Sequence, residues 1–153
     1  MKRHVISLTI LVLTIMLLPA SVFGQNTPAV TGAGEATLPA GATYGGVSLS
    51  GLTFGTGVFI PGDSSAAGQF QATLLGTILG LTRNIEVAGQ ATTGTIASGT
   101  GTSSGTATVD MGDGLPPLTN VPFTVTATPT GLVLVLGSTT LPGTVTAGDI
   151  TIQ

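Results

Sequence analysis

Apolar and polar residues alternate with a period of two along most of the chain after residue 44. The cleanest stretch is 69–74, where Phe70, Ala72 and Leu74 alternate with polar residues. Such alternation places successive side chains on opposite faces of a strand, so the pattern predicts β-strands with one buried face. Similar alternation recurs at 47–50, 85–90, 106–111, 123–128 and 144–147.

Turn residues separate the alternating stretches. Residues 61–65 read Pro-Gly-Asp-Ser-Ser, whose φ preferences and side-chain hydrogen bonds favour a turn, and they predict a hairpin between the flanking strands. The alternation changes parity at Gly51 and again near Gly148 and Asp149. A glycine where the parity changes is typical of a β-bulge, because a bulge adds one residue to one strand.

Four segments lack a clear alternation. Residues 25–43 are rich in Pro, Gly and Ala, and we expect a loosely ordered lead-in there. Residues 75–81 fit either a strand or a short helical turn. The Gly/Ser/Thr tract 92–104 predicts a strand end with a hairpin loop, and residues 110–120 predict a second loop.

The chain is therefore predicted to be all-β. About eight to nine short strands separated by turn residues are typical of a single antiparallel β-barrel or β-sandwich, which we assign to residues 44–153. The apolar faces would form the core. The Thr- and Ser-rich faces would meet water, because Thr combines a β-branched side chain with a hydroxyl group.

The N-terminus carries the features of a secretory signal peptide, predicted over residues 1–24. Lys2 and Arg3 precede an apolar run at 5–18, which ends in proline and small residues suited to cleavage. The alternative is an uncleaved membrane anchor, but the run is shorter than the roughly 20 residues that a span needs. Cleavage would deliver a mature chain, starting near Gln25, to the periplasm, the cell surface or the medium.

Cleavage would leave few groups for charge-based recognition or catalysis. Arg83 would be the only cation against six Asp and Glu residues, a net charge of about −5, and no His, Cys or Lys would remain. Nucleic acid is excluded as a partner because phosphate binding needs clustered Lys and Arg. We expect no membrane partner either, because anionic surfaces would repel the chain. Triads with a His or Lys base and cysteine chemistry are also excluded.

Asp110 and Asp113 form the one candidate metal site. They lie in the glycine-rich segment 110–114, and calcium binds carboxylate and carbonyl oxygens supplied by flexible loops. The segment is not an EF-hand, because Val121 stands where that motif requires a glutamate. The alternative interpretation is a turn in which each Asp bonds to nearby backbone. No other cofactor is predicted.

Four segments resemble small exported bacterial β-rich proteins of uncharacterised function: FIPGDSSAAGQFQA, GTATVDMGDGLPPL, VPFTVTATPTG and TAGDITI. In these proteins a strand runs into a Pro/Gly/Asp turn and returns through a Gly-Gln-Phe-like strand. The resemblance implies export and an all-β fold. It carries no catalytic residues to transfer.

Two non-enzymatic functions fit these features. One is a structural or cell-surface-associated protein that self-associates through hydroxyl-rich faces and edge strands, or contacts a protein partner there. The other is a soluble secreted binding module that uses residues 92–104 and 110–120 as loops. A carboxylate-pair hydrolase is disfavoured, because sugar clefts are usually lined with aromatic side chains and only 4% of the residues are aromatic. The chain is therefore predicted not to be an enzyme.

Overall fold

The computed structural model describes residues 27–153, so the predicted signal peptide at 1–24 lies outside the described residues. Residues 27–153 form ten strands in one antiparallel sheet. The strands are β1 Ala29–Thr37, β2 Thr43–Tyr44, β3 Val47–Phe59, β4 Ser65–Ile78, β5 Leu81–Thr82, β6 Ile85–Ala97, β7 Thr100–Asp110, β8 Leu118–Thr128, β9 Gly131–Leu136 and β10 Thr139–Ile152. Within this part of the chain, no helix has the length and apolarity needed to cross a membrane.

Eight of the strands close into a barrel. The sheet runs in the order β2-β3-β1-β10-β9-β8-β7-β6-β4-β5, and an additional pairing of β3 with β4 closes the ring. Each long strand therefore pairs with a neighbour on both sides, in the up-and-down order of a simple barrel. The two-residue strands β2 and β5 only extend β3 and β4. The structure confirms the predicted all-β antiparallel fold. Of the two predicted architectures, barrel and sandwich, it is the barrel that forms.

Inward-facing side chains fill the barrel. Phe70 from β4 and Phe123 from β8 stack with their ring centroids 6.2 Å apart. Ser103 is the one buried polar residue among the core positions of residues 27–153. The largest fully buried side chains are Phe70, Leu52, Ile60, Leu74, Ile85, Leu132, Leu134, Leu136 and Leu141. Burying each of these stabilises the fold by about 1.5–3 kcal/mol, so the interior is the source of stability.

The two ends of the barrel carry different features. The terminal end holds the turn at 61–65, the hairpin tip at 98–99 and both ends of the described chain. There the backbones of Ala29 and Gln153 exchange two hydrogen bonds of 3.2 and 3.0 Å. The loop end holds the β2–β3 hairpin, the connection 79–84 from β4 to β6, and the loop 111–117 from β7 to β8.

The hairpin and the bulge predicted in the first half of the chain are confirmed. The turn at 61–65 leads from β3 into β4, and Val58 lies opposite Gly68 in this pair. The register of the same pair shifts between Leu49 and Gly51, where the alternation changes parity. The bulge lets both halves of β3 keep their apolar side chains inside the barrel.

The structure also shows what happens at the second change of parity and in the segment 75–81. The second change of parity corresponds to a bulge on β10 at Thr146, two residues before the glycine that marks it in the sequence. Gly148 itself has a φ of 81°, a conformation that favours glycine. Of the segment 75–81, residues to Ile78 continue β4 as strand, and Leu79 and Gly80 turn the chain into β5.

The prediction of a loosely ordered lead-in at 25–43 is wrong for residues 29–37, and residues 25 and 26 lie outside the described residues. Residues 29–37 form β1, which pairs with β3 on one side and β10 on the other. Two inward positions of this strand are Gly32 and Gly34, so no side chains mark the apolar face there. A Cβ atom on Gly34 would collide with the carbonyl oxygen of Ala147, which shows that close approach of β10 requires glycine.

Candidate functional site

Asp110 ends β7, and Asp113 lies in the loop that follows. Oδ1 of Asp110 accepts a hydrogen bond of 2.9 Å from the backbone N–H of Gly112. Oδ1 of Asp113 accepts one of 3.0 Å from the backbone N–H of Leu115. Each carboxylate therefore closes an Asx turn in its own loop, as the alternative interpretation of this segment proposed.

Glu86 brings a third carboxylate to this side of the barrel. It lies directly opposite Asp110 in the β6–β7 pair, and its Oε2 accepts a 2.9 Å hydrogen bond from the hydroxyl of Thr73. Within residues 27–153, however, no group of three or more acidic or other ligating side chains is arranged to hold a metal ion. Calcium binding by Asp110 and Asp113 therefore stays a prediction.

Asp63 fixes the turn between β3 and β4. Its Oδ1 accepts hydrogen bonds from the hydroxyl of Ser65 and from the Ser65 backbone N–H, the latter at 3.0 Å. The hydroxyl hydrogen bond, followed by the backbone one, lowers the pKa of the Asp63 carboxyl below its ordinary value of 3.8. Both bonds favour the ionised carboxylate, so this acid has a structural role in its turn.

Four large apolar side chains are exposed on two neighbouring segments of the loop end. Their exposed fractions are 98% for Leu79, 72% for Leu81, 67% for Leu115 and 50% for Leu118. We call these four residues the leucine tip. Large apolar side chains grouped at the surface mark interaction sites, whereas isolated ones are common on any protein.

Leu79, the most exposed of the four, lies in a turn whose backbone conformation is unfavourable for leucine. Leu79 and Gly80 have φ values of 52° and 80° and form a two-residue turn of type I′, in which Ile78 pairs with Leu81. The same kind of turn occurs at 45–46 and 98–99, where the first position is a glycine and a serine. A positive φ crowds the Cβ atom of leucine, and an exposed side chain makes no contact that offsets this cost.

Close contacts hold the two segments of the leucine tip together. A Cβ atom on Gly112 would collide with the carbonyl oxygen of Asn84, so the loops approach each other through a glycine. The N–H of Arg83 donates a 2.8 Å hydrogen bond to the carbonyl of Gly76, which ties the connection to β4. Pro116 and Pro117 restrict the backbone between Leu115 and Leu118. These contacts and the two prolines restrict the movement of the segments that carry the leucines.

Sequence reasoning did not find the leucine tip, because hydropathy alone does not distinguish an exposed leucine from a core leucine. The available signal was the dipeptide Leu79-Gly80, which stands where hairpin turns usually carry Asn-Gly. The two predicted binding loops have different outcomes. Residues 110–120 include half of the leucine tip, whereas 92–104 are strand apart from the tip at 98–99 and are not a long loop.

A cavity of about 300 Å³ opens at the terminal end of the barrel. Ile60, Ile96 and Pro28 supply its apolar wall, and Ser64 and Gln153 add polar groups. Its lining contains no charged side chain, and its volume offers room for a small ligand.

The fold and these surfaces define an eight-stranded up-and-down antiparallel β-barrel with a packed interior and an apolar loop end. The chain matches no model of a known protein family, no curated protein and no solved structure.

Proposed function

We propose that this protein is an exported, non-enzymatic barrel that associates with a cell surface through its loop end. The leucine tip is the observation that carries the proposal, because four leucines are exposed on two touching segments. Loops held by a rigid barrel are a common way to present binding residues. The proposal combines the two non-enzymatic hypotheses: attachment at a surface, and recognition through the loop at 110–120.

Closure of the barrel narrows the ways in which copies could assemble. Within residues 27–153 all eight long strands have partners on both sides over part of their length. The stretches without a second partner are the two-residue strands β2 and β5 and the ends of β8 and β10 that extend past the six-residue strand β9. Addition of a neighbouring strand is therefore confined to these short stretches. The loops and the outer faces remain as contact surfaces.

The hypothesis of a carboxylate-pair hydrolase gains no support from the acids of the loop end. Asp110 and Asp113 each accept a hydrogen bond from their own loop, and Glu86 accepts one from Thr73. A glycosidase needs one carboxyl held protonated beside a second carboxylate across a substrate cleft. These acids instead lie on the outer side of the barrel wall and its loop.

Attachment is tested by fractionating cells of the producing organism. The double variant Leu79→Asn, Leu115→Gln removes two leucines of the tip, and we expect most of the protein to move from the cell-envelope fraction into the medium. Asparagine suits the first position of a type I′ turn, so this variant keeps the hairpin.

The matched control is Phe59→Thr, which removes the partly exposed aromatic ring on the outer wall at the terminal end. We expect this variant to stay with the envelope like the unaltered protein. Equal retention of the double variant and the unaltered protein would contradict the proposal.

A further inference from the structure

We infer that the leucine tip docks reversibly on a zwitterionic lipid bilayer. This inference rests on the proposed function, since it names the partner of the loop end. It differs from the expectation drawn from the sequence, which predicted no membrane partner from net charge. That expectation could not take into account four leucines presented together at one end of a barrel.

The shape of the tip favours a fluid apolar partner. Leu79 stands at the apex of a hairpin with almost all of its side chain exposed, and Leu115 lies on the adjoining loop. Projecting side chains of this kind fill no groove of the barrel. Lipid chains rearrange around an inserted apolar side chain and bury it at the boundary between headgroups and acyl chains, without a preformed pocket.

The conformation of Leu79 supplies a second argument. At the first position of a type I′ turn, the chain uses glycine at 45 and serine at 98, but leucine at 79. Leucine is unfavourable there on two counts, since its backbone has φ 52° and its side chain meets water. No contact within the barrel offsets these costs, whereas burial of the side chain outside the barrel does.

The charges around the tip select the kind of lipid. Arg83 is the only cation among residues 27–153, and it lies two residues after Leu81, half buried. Its Cγ lies 3.9 Å from where a Cβ atom on Gly112 would be, so the side chain starts at the contact between the two segments, near where lipid phosphates would lie if the leucines were inserted. Asp113 is on the adjoining loop, and the described chain carries six acids in total. A zwitterionic headgroup offers both a phosphate and an ammonium group, whereas an anionic surface repels the excess of carboxylates.

A second copy of the chain is a weaker candidate for the same surface. Stable protein interfaces bury about 800 Å² on each partner, which four leucines at the end of a narrow barrel do not supply. Two docked tips would also bring acidic residues such as Asp113 and Asp110 of both copies together. Dimerisation is therefore an outcome that the experiment must distinguish.

The inference is tested by flotation with vesicles, using the mature chain from Gln25, whose described part is the closed barrel. Pure phosphatidylcholine vesicles are expected to carry the unaltered chain. Leu79→Asn is expected to lower the partition coefficient at least about tenfold, because burying one leucine is worth about 1.5 kcal/mol or more. Leu115→Gln is expected to act similarly, and Phe59→Thr to leave binding unchanged.

Lipid charge gives an independent readout. Replacing part of the phosphatidylcholine with phosphatidylglycerol is expected to weaken binding at low salt, and added salt is expected to restore it. Tighter binding to the anionic vesicles would overturn the inference. So would a failure of the unaltered chain to float with phosphatidylcholine, or equal flotation of Leu79→Asn and the unaltered chain.

The two proposals fail in different ways. If vesicles do not bind the chain but envelope retention still depends on Leu79 and Leu115, the lipid inference is wrong and the proposed attachment stands with a protein partner. If neither measurement depends on these leucines, both proposals are wrong. A mass in light scattering that doubles with concentration, and that Leu79→Asn returns to the monomer value, would assign the tip to a second copy.

Discussion

Three of the six acids of this chain serve the turns that they belong to. Asp63, Asp110 and Asp113 each accept the backbone N–H of the residue two positions later. This is the local hydrogen bond that makes aspartate common in turns. At the scale of single residues, these carboxylates are therefore explained by backbone geometry before any chemistry is invoked.

The hydrogen bonds of Asp63 lead to a prediction about its pKa and about the stability of its turn at low pH. Ser65→Ala removes the hydroxyl hydrogen bond, and we expect the pKa of Asp63 to rise toward 3.8, as measured by NMR titration of its carboxyl carbon. Because the pKa is lowered in the folded state, the turn contributes its stability above pH 3.8 and loses it as the pH falls through the folded-state value. An unchanged pKa in the variant would contradict this assignment, and Ser64→Ala is the neighbouring control.

At the scale of the elements, the strands fall into two groups. In β4 and β8 side chains of opposite polarity alternate, and the sequence predicted both strands. In β1 two inward positions are glycine, so a strand that completes the barrel resembled a linker. The exposure of the leucines at the loop end could not be predicted from the sequence either, because Leu79 has the same hydropathy as Leu74, which is buried.

The glycines of β1 and β3 allow a matched test of this argument. Gly34→Ala is expected to destabilise the barrel by about 1–3 kcal/mol, because the new methyl group would collide with the carbonyl of Ala147. Gly55→Ala has open space around the added carbon and is expected to be neutral or to stabilise by up to about 1 kcal/mol. Urea denaturation measures both, and similar losses in the two variants would contradict the role given to Gly34.

At the scale of the whole molecule, the main feature is the closed ring of paired strands. The eight long strands pair in sequence order, and the pairing of β1 with β10 joins the first of them to the last. The fold class was predictable because alternation and turns recur along the chain. The choice of a barrel was not, because it depends on β1 and on the pairing of the first and last strands.

Closure of the barrel leads to a prediction about the solution behaviour of the chain from Gln25. In the absence of lipid, we expect light scattering to give the monomer mass at every concentration, since the free edges within residues 27–153 are short and four leucines supply too little area for a stable interface. Mixtures with phosphatidylcholine vesicles then report binding without competition from oligomers. Growth of the mass with concentration in both the unaltered chain and Leu79→Asn would contradict this prediction and favour assembly through the outer faces.

The hydrogen bonds between Ala29 and Gln153 have a practical consequence for orientation. They hold the two ends of the described chain side by side at the end of the barrel opposite the leucine tip. In the docked orientation proposed above, Thr27 and Gln153 therefore lie at the end of the barrel that faces away from the surface. The proposed docking would thus keep both ends of the described chain one barrel length away from the surface.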